Sequence, residues 1–281
     1  MSMHAFVPDG RPAAEAIART TRMGIVAHPD DLEILAYPGI LDCLNTGDRW
    51  FCGVVATDGR GSARSGAYAG VTDEEMREIR QREQERASVV GGYGAVVMLD
   101  HASADVQGTG RAALVGELTD LLRAARPEVV YTHNPADRHP THVSVVLATL
   151  AACRALPAAE RPERVLGGEV WGDLEWLAAE DKIAIDVSGH ESTGAALLGV
   201  FESQIAGGKR YDLAVPARRR AHATYHDPRS VDASTALCLA MDLTPLVRDP
   251  AKSVAAYVQE RVDRFAAGVR ARIERLEEWP R

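Results

Sequence analysis

Residues 23–27 form a short apolar run that stops abruptly at His28-Pro29-Asp30-Asp31, the pattern of a buried strand emptying into a loop. Residues 32–45 change to helical apolar spacing, with Pro38 predicting a kink or an early turn. Residues 50–56 give a second apolar strand closed by Thr57-Asp58-Gly59, and residues 60–68, rich in Gly, Ser and Arg, read as a mobile loop. Thr72 and Glu75 have the spacing of a capping box, which opens a densely charged helix running to about residue 90. Further strands are predicted over 95–99 and 128–132, with helices over 111–124 and 143–153. Strands alternating with helices of this length require parallel pairing through right-handed crossovers. The predicted fold is therefore a Rossmann-like three-layer α/β/α sandwich with a mainly parallel sheet.

Beyond residue 170 the pattern loosens, leaving one strand predicted over 183–187 and one helix over 194–205. The last segment carries Val254, Val258, Val262, Phe265, Val269, Ile273 and Leu276 at steps of four and three, which defines an amphipathic helix. Packing of that stripe back onto the domain is the first expectation, and a homo-oligomer interface the second. Residues 1–206 are read as the core and residues 207–281 as a C-terminal helical extension of the same domain. No internal repeat is present.

With 46% hydrophobic and 26% charged residues, the chain has the composition of a soluble globular protein. Its net charge of −8 and scattered basic residues argue against nucleic acid as a partner. No run of about 18 apolar residues predicts a membrane span. The first eleven residues have neither the basic nor the apolar segment of an export signal. Cys43, Cys52, Cys153 and Cys238 are far apart and lack CxxC spacing, which fits a reducing, cytoplasmic setting.

The chemistry concentrates in two loops that both follow predicted strands. In the first, His28 and Asp31 are three residues apart on a tight turn, so both can face one cation, and Asp30 between them can stand beside a bound water as general base. The plainer alternative is that Asp30 and Asp31 cap the next helix. In the second, His139 and His142 are also three apart, which suits one ligand and one acid-base group. In a parallel sheet both loops fall beyond the carboxyl ends of strands, where ligands bind.

These residues resemble the PIG-L/LmbE-like N-acetylglucosaminyl deacetylases. The likeness rests on Ala27-His28-Pro29-Asp30-Asp31-Leu32-Glu33, matching AHPDDxE, and on His139-Pro140-Thr141-His142, matching an HPDH-type motif preceded by Asp137-Arg138. Arg80-Gln81-Arg82-Glu83 with Ala87 and Val90-Gly91, and then Ser203-Gln204, are similar to further family patterns. The resemblance covers roughly residues 23–205. It implies a metal, Zn2+ or Fe2+, held by His28, Asp31 and His142, with Asp30 activating the metal-bound water and His139 as general acid or oxyanion stabiliser. The implied reaction is hydrolysis of an N-acetyl amide on a small amino-sugar-like substrate.

Thr141 departs from the family's aspartate, which weakens the support for a protonated His139; the expectation is either that Asp137 compensates or that the pH optimum differs from that of relatives. Arg60 and Arg64, in the loop after the second strand, Asp105, after the third, and Arg138 are the candidate substrate contacts. Arg80 and Glu83 are expected to pair on a helix surface. His101, His133, His190, His222 and His226 are expected to be surface or hydrogen-bonded residues. An amidase acting on mycothiol-type thiol conjugates would use the same residues. A Rossmann nucleotide-binding domain is disfavoured, because it would need a glycine-rich turn where His28-Pro29-Asp30-Asp31 stands. A metal-binding protein without activity is the last alternative.

Overall fold

The computed structural model describes residues 3–277. Its strands are β1 (His4–Phe6), β2 (Arg22–Val26), β3 (Phe51–Thr57), β4 (Ala95–His101), β5 (Val129–His133), β6 (Arg164–Gly168), β7 (Lys182–Asp186) and β8 (Leu237–Asp242). The helices before β5 are α1 (Ala13–Ala18), α2 (Asp31–Leu35), α3 (Tyr37–Cys43), α4 (Asp73–Val90), α5 (Ser103–Gln107) and α6 (Arg111–Ala125). After it come α7 (Pro140–Ala155), α8 (Glu191–Gly199), α9 (Glu202–Ile205), α10 (Tyr211–Thr224), α11 (Thr244–Arg248) and α12 (Val254–Glu277).

The strands make one eight-stranded sheet in the order β1-β4-β3-β2-β5-β6-β8-β7. From β4 across to β6 every pairing is parallel, while β1, β8 and β7 pair antiparallel. Side chains alternate between two cores, as a pleated strand requires. Met23, Ile25, Val54, Val97 and Leu99 face one, beside α6 and α7. Val26, Phe51, Val55, Val96 and Met98 face the other, beside α2, α3 and α8. The three-layer sandwich with a mainly parallel sheet is thus the observed architecture.

Three strands escape the sequence pattern. β1 is only three residues long, β6 ends in Gly167-Gly168 with no side chains to show alternation, and β8 follows a polar loop. The helix expected over residues 32–45 is two helices, because Pro38 sits in the first turn of α3, where its missing N–H costs nothing. The region expected as a C-terminal extension inserts β8 between β6 and β7.

The last helix departs from its first expectation. Tyr257 anchors it, 3% exposed, with its hydroxyl donating to Asp242 O at 2.6 Å. Further along, Val262, Phe265, Ile273 and Leu276 stay 40–63% exposed, so the stripe does not pack back onto the domain. Among the described residues, no helix is long and apolar enough to cross a membrane.

The helix that starts the site is seated by two glycines. A Cβ on Gly24 of β2 or Gly53 of β3 would lie 2.6 or 2.5 Å from a Leu32 methyl carbon. Only hydrogen at both positions lets Leu32, wholly buried, sink between the strands and draw α2 onto the sheet.

A candidate metal and catalytic centre at the sheet switch point

Strand order runs β4-β3-β2 in one direction and β5-β6 in the other, so β2 and β5 flank the point where the order reverses. Loops leaving adjacent strands on either side of such a point open a crevice. The loop after β2 carries His28, Asp30 and Asp31; the loop after β5 carries Asp137, His139 and His142. Pairing of β2 with β5 therefore unites two segments more than 100 residues apart in the chain.

Three side-chain atoms meet there. His28 Nδ1 lies 3.2 Å from Asp31 Oδ2 and 3.2 Å from His142 Nε2, and His142 Nε2 lies 3.4 Å from Asp31 Oδ2. Tetrahedral zinc with bonds of about 2.0–2.1 Å to nitrogen and oxygen sets neighbouring ligand atoms about 3.3–3.4 Å apart. The donor types and the triangle both fit such a cation. Burial works against charge on Asp31, but the imidazoles of His142, His28 and His133 hold its carboxyl well below the usual range. Burial likewise opposes protonation of His142, yet Asp31 and Asp137 outweigh it and raise its pKa. The centre therefore attracts positive charge.

His133 and His139 lie close by. The His133 ring stacks on His142 with centroids 3.9 Å apart, and one atom each of Asp31, His133 and His142 could also hold an ion. His133 Nε2, however, accepts the Ala27 N–H at 2.9 Å, which occupies its only lone pair, so its place is behind the ligand set. Of the two roles expected for His133, surface or hydrogen-bonded, the structure shows the second: it is fully buried and accepts the Ala27 N–H. His139, grouped with His28 and His142 around the same space, caps α7: its Nδ1 accepts the Thr141 N–H at 3.2 Å. Burial, with His142 and His28 nearby, lowers the His139 pKa to about 4. It is a neutral imidazole at pH 7 whose proton resides on Nε2.

Asp137 does not serve the His139 side chain. Its Oδ1 accepts the His139 backbone N–H at 2.8 Å and lies 3.2 Å from His142 Nδ1, within ion-pair reach though off line for a straight hydrogen bond. Its Oδ2 accepts the backbone N–H groups of Trp171 and Gly172. Thr141 is held by Gln107, whose Nε2 donates to Oγ1 at 2.8 Å. The substitution expected of Asp137 is thus replaced by a carboxylate behind His142, a common way to orient a ligand imidazole.

Asp30 stands in a different arrangement. It occupies the N-cap position of α2 with φ 88°, and its side chain accepts no capping hydrogen bond. The left-handed conformation, costing roughly 1–3 kcal/mol for a residue other than glycine, swings the carboxylate away from the helix end towards Arg80. Arg80 Nη2 donates to Asp30 Oδ2 at 2.7 Å and to Pro29 O, and Nη1 donates to Glu83 Oε2 at 3.1 Å. Glu83 accepts the Ser203 N–H and hydroxyl, both at 2.7 Å. Arg80 is 1% exposed, so the surface pair expected with Glu83 is instead a buried bridge from α4 to Asp30. Burial raises the Asp30 pKa, and Arg80 opposes that rise. Behind the loop, burial pushes Glu33 up to about 8 while Tyr93 and Gln84 donate to it, which keeps a neutral carboxyl there at pH 7.

A cleft of about 460 Å³ opens over these groups. His28, Asp30, Asp31, His139 and Thr141 form its floor, and Trp171, Lys209, Tyr211 and Gln204 form one wall, with Ser103 and Gln107 also lining it. Trp171 and Tyr211 meet edge to face with centroids 6.4 Å apart, and Lys209 Nζ lies 4.8 Å from the Trp171 ring centre. Arg64, Asp105 and Arg138 are not among the lining residues. Arg64 donates to Asp73 Oδ1 at 2.6 Å and to Arg60 O at 2.5 Å, and Asp105 and Arg138 are exposed. Of the wall, only Gln204 belonged to a motif; Trp171, Lys209 and Tyr211 lay outside any, because the loop after β6 and the start of α10 converge on the cleft only through the fold.

Residues 23–153 match the family described as PIG-L: GlcNAc-PI de-N-acetylase. No curated protein matches the chain. Among solved structures, the conserved protein TT1542 from Thermus thermophilus is 19% identical, with a TM-score of 0.62 over 83% of this chain and 99% of that one. N,N'-diacetylchitobiose deacetylase from Pyrococcus horikoshii is 17% identical, with a TM-score of 0.59 over 78% of this chain and 83% of that one. GalB, the 4-carboxy-2-hydroxymuconate hydratase from Pseudomonas putida, is 16% identical, with a TM-score of 0.60 over 80% and 96%. At these identities the likeness concerns the fold.

Proposed function

From a chain whose residues 23–153 match the PIG-L family of de-N-acetylases, we propose a metal-dependent hydrolase that removes the acetyl group from a small N-acetylated, amino-sugar-like substrate. The observation that carries this reading is the triangle of His28 Nδ1, Asp31 Oδ2 and His142 Nε2, with edges of 3.2, 3.2 and 3.4 Å, beside the cleft that Asp30 lines. A divalent cation in that triangle, Zn2+ or Fe2+, would polarise the amide carbonyl and acidify water at neutral pH.

The chain's own groups supply the remaining chemistry. Asp30, fixed by Arg80, accepts the proton of the attacking water and later delivers it to the departing amine. Neutral His139 donates its Nε2 proton as a hydrogen bond to the developing oxyanion, a role that its low pKa favours over full proton transfer. Asp137 keeps the His142 ring in place. The faces of Trp171 and Tyr211 suit the apolar side of a sugar ring, while Gln204, Ser103 and Gln107 can meet its hydroxyls. The four free, buried cysteines suit the reducing cytoplasm.

The test is a panel of N-acetylated sugars and thiol conjugates assayed for free amine, with metal analysis of the same preparation. Acetate release from an N-acetylglucosaminide supports the reading, and release of a mercapturic acid from thiol conjugates would redirect it to a mycothiol-type amidase. Hydration of a carbon–carbon double bond, the chemistry named for one neighbour of this fold, would liberate no amine. A preparation without stoichiometric metal, and inert after Zn2+ or Fe2+ is added, would end the proposal.

A further inference from the structure

A second cleft, of about 470 Å³, lies between α8, α10 and the strand ends of β7 and β8, and shares no lining residue with the catalytic cleft. Its walls include Tyr37, Val187, Leu213 and Pro216. Arg219 also lines it, 7% exposed. One guanidinium nitrogen, Nη2, donates to Glu33 O at 2.8 Å and Ile34 O at 3.2 Å, the last-turn carbonyls of α2. The guanidinium face covers the Tyr37 ring at 3.9 Å. Nη1 lies 3.2 Å from the point a Cβ would occupy on Gly194, another lining residue.

Among the described residues no carboxylate comes within ion-pair distance of Arg219, although buried charges are ordinarily paired. The two carboxylates along the cleft are committed elsewhere: Asp212 accepts two hydrogen bonds from Arg210 at 2.7 and 2.9 Å, and Glu191 accepts the Thr235 hydroxyl at 3.1 Å. Arg220 adds a further positive charge to the lining. The cleft thus joins apolar walls to a buried cation that lacks a counter-charge.

We propose that this cleft binds a small apolar carboxylate, with its anion at Nη1 of Arg219, the terminal guanidinium nitrogen that does not donate to α2, and its hydrocarbon against Tyr37, Val187, Leu213 and Pro216. A charge-assisted hydrogen bond from a guanidinium N–H is a strong contact for a carboxylate, and here it would also neutralise a buried cation. Pockets of this size with few convergent polar groups are typical small-molecule sites.

Isothermal titration of the full-length, metal-loaded protein with octanoate tests the site. Saturable binding is expected, with octanol, which has the same chain but no anion, at least about tenfold weaker. Two substitutions at exposed lining positions address the cleft without disturbing Arg219: Ala195→Trp fills it, and Leu213→Glu places a like charge in it. Each should weaken octanoate about tenfold or more, with circular dichroism and the thermal melt confirming that the variants fold. Octanoate binding that survives both substitutions would place the anion at the metal centre instead and overturn the proposal. Equal binding of octanol, or no saturation below about 10 mM, would overturn it as well.

Discussion

Asp30 and Asp31 are adjacent in the chain and both buried, yet they belong to two opposite electrostatic designs. Asp31 faces imidazoles, and with Asp137 it favours positive charge at His142, on the side bounded by His28, Asp31 and His142. Asp30 faces Arg80, which is tied in turn to Glu83 and Ser203, so its charge is balanced from within the fold. The difference teaches which of two neighbouring carboxylates is suited to hold a cation and which to handle protons. A ligand gives its lone pairs permanently, whereas a base must keep one in reserve. The left-handed backbone at Asp30 is what turns the two side chains apart.

Substitutions on either side of that contrast test it. Asp31→Asn should have the largest effect, losing the metal by elemental analysis and lowering turnover on the order of 10³–10⁴-fold, because several kcal/mol of electrostatic stabilisation go with it. Asp30→Asn should lower kcat by about 10²–10⁴-fold while metal content stays stoichiometric; loss of metal in this variant would erase the distinction.

Arg80→Met leaves two buried carboxylates without their cation, which should cost about 3–5 kcal/mol in urea unfolding. It should also move the acidic limb of kcat/KM to higher pH, since burial, which raises the Asp30 pKa, would no longer be opposed. An unmoved limb would show that Asp30 is not the titrating base. Asp137→Asn should weaken metal affinity about 10–100-fold, measured by competition with a chelator. Burial pushes Asp137 up, but His142 and the amides of His139 and Gly172 outweigh it and hold its pKa at about 2. Its contribution to stability is therefore present above the ordinary carboxylate pKa of about 4 and fades as pH falls towards about 2. The stability gap between wild type and Asp137→Asn should narrow across that window. Arg64→Ala, outside the cleft lining, should change kcat/KM least, by no more than about twofold.

Much of this was readable from residue order. Apolar runs at 23–27, 50–56, 95–99 and 128–132 marked the central parallel strands because each is buried on both faces, and a doubly buried strand must be apolar throughout. β6 was invisible because its two glycines erase alternation, and β8 because it is isolated behind a polar loop. The stripe on α12 was legible as a periodicity, but periodicity reports an apolar face and not what lies against it.

The site divides in the same manner. Chain-local chemistry put His28, Asp30 and Asp31 on one turn and His139 and His142 on another, since ligand types and close spacing are properties of short segments. Only the tertiary structure decided that Asp30 answers to Arg80 and is no helix cap, that His133 stands behind the cluster of His28, Asp31 and His142, and that Asp137 serves His142. It alone brought Trp171, Lys209 and Tyr211 to the cleft and left Arg219 buried without a carboxylate. Local sequence fixes which groups are available and how a few neighbouring residues turn. Which groups face one another across 50 to 190 residues of chain depends on sheet order and on how helices seat against it, and the free energy of those contacts is not written in any single segment.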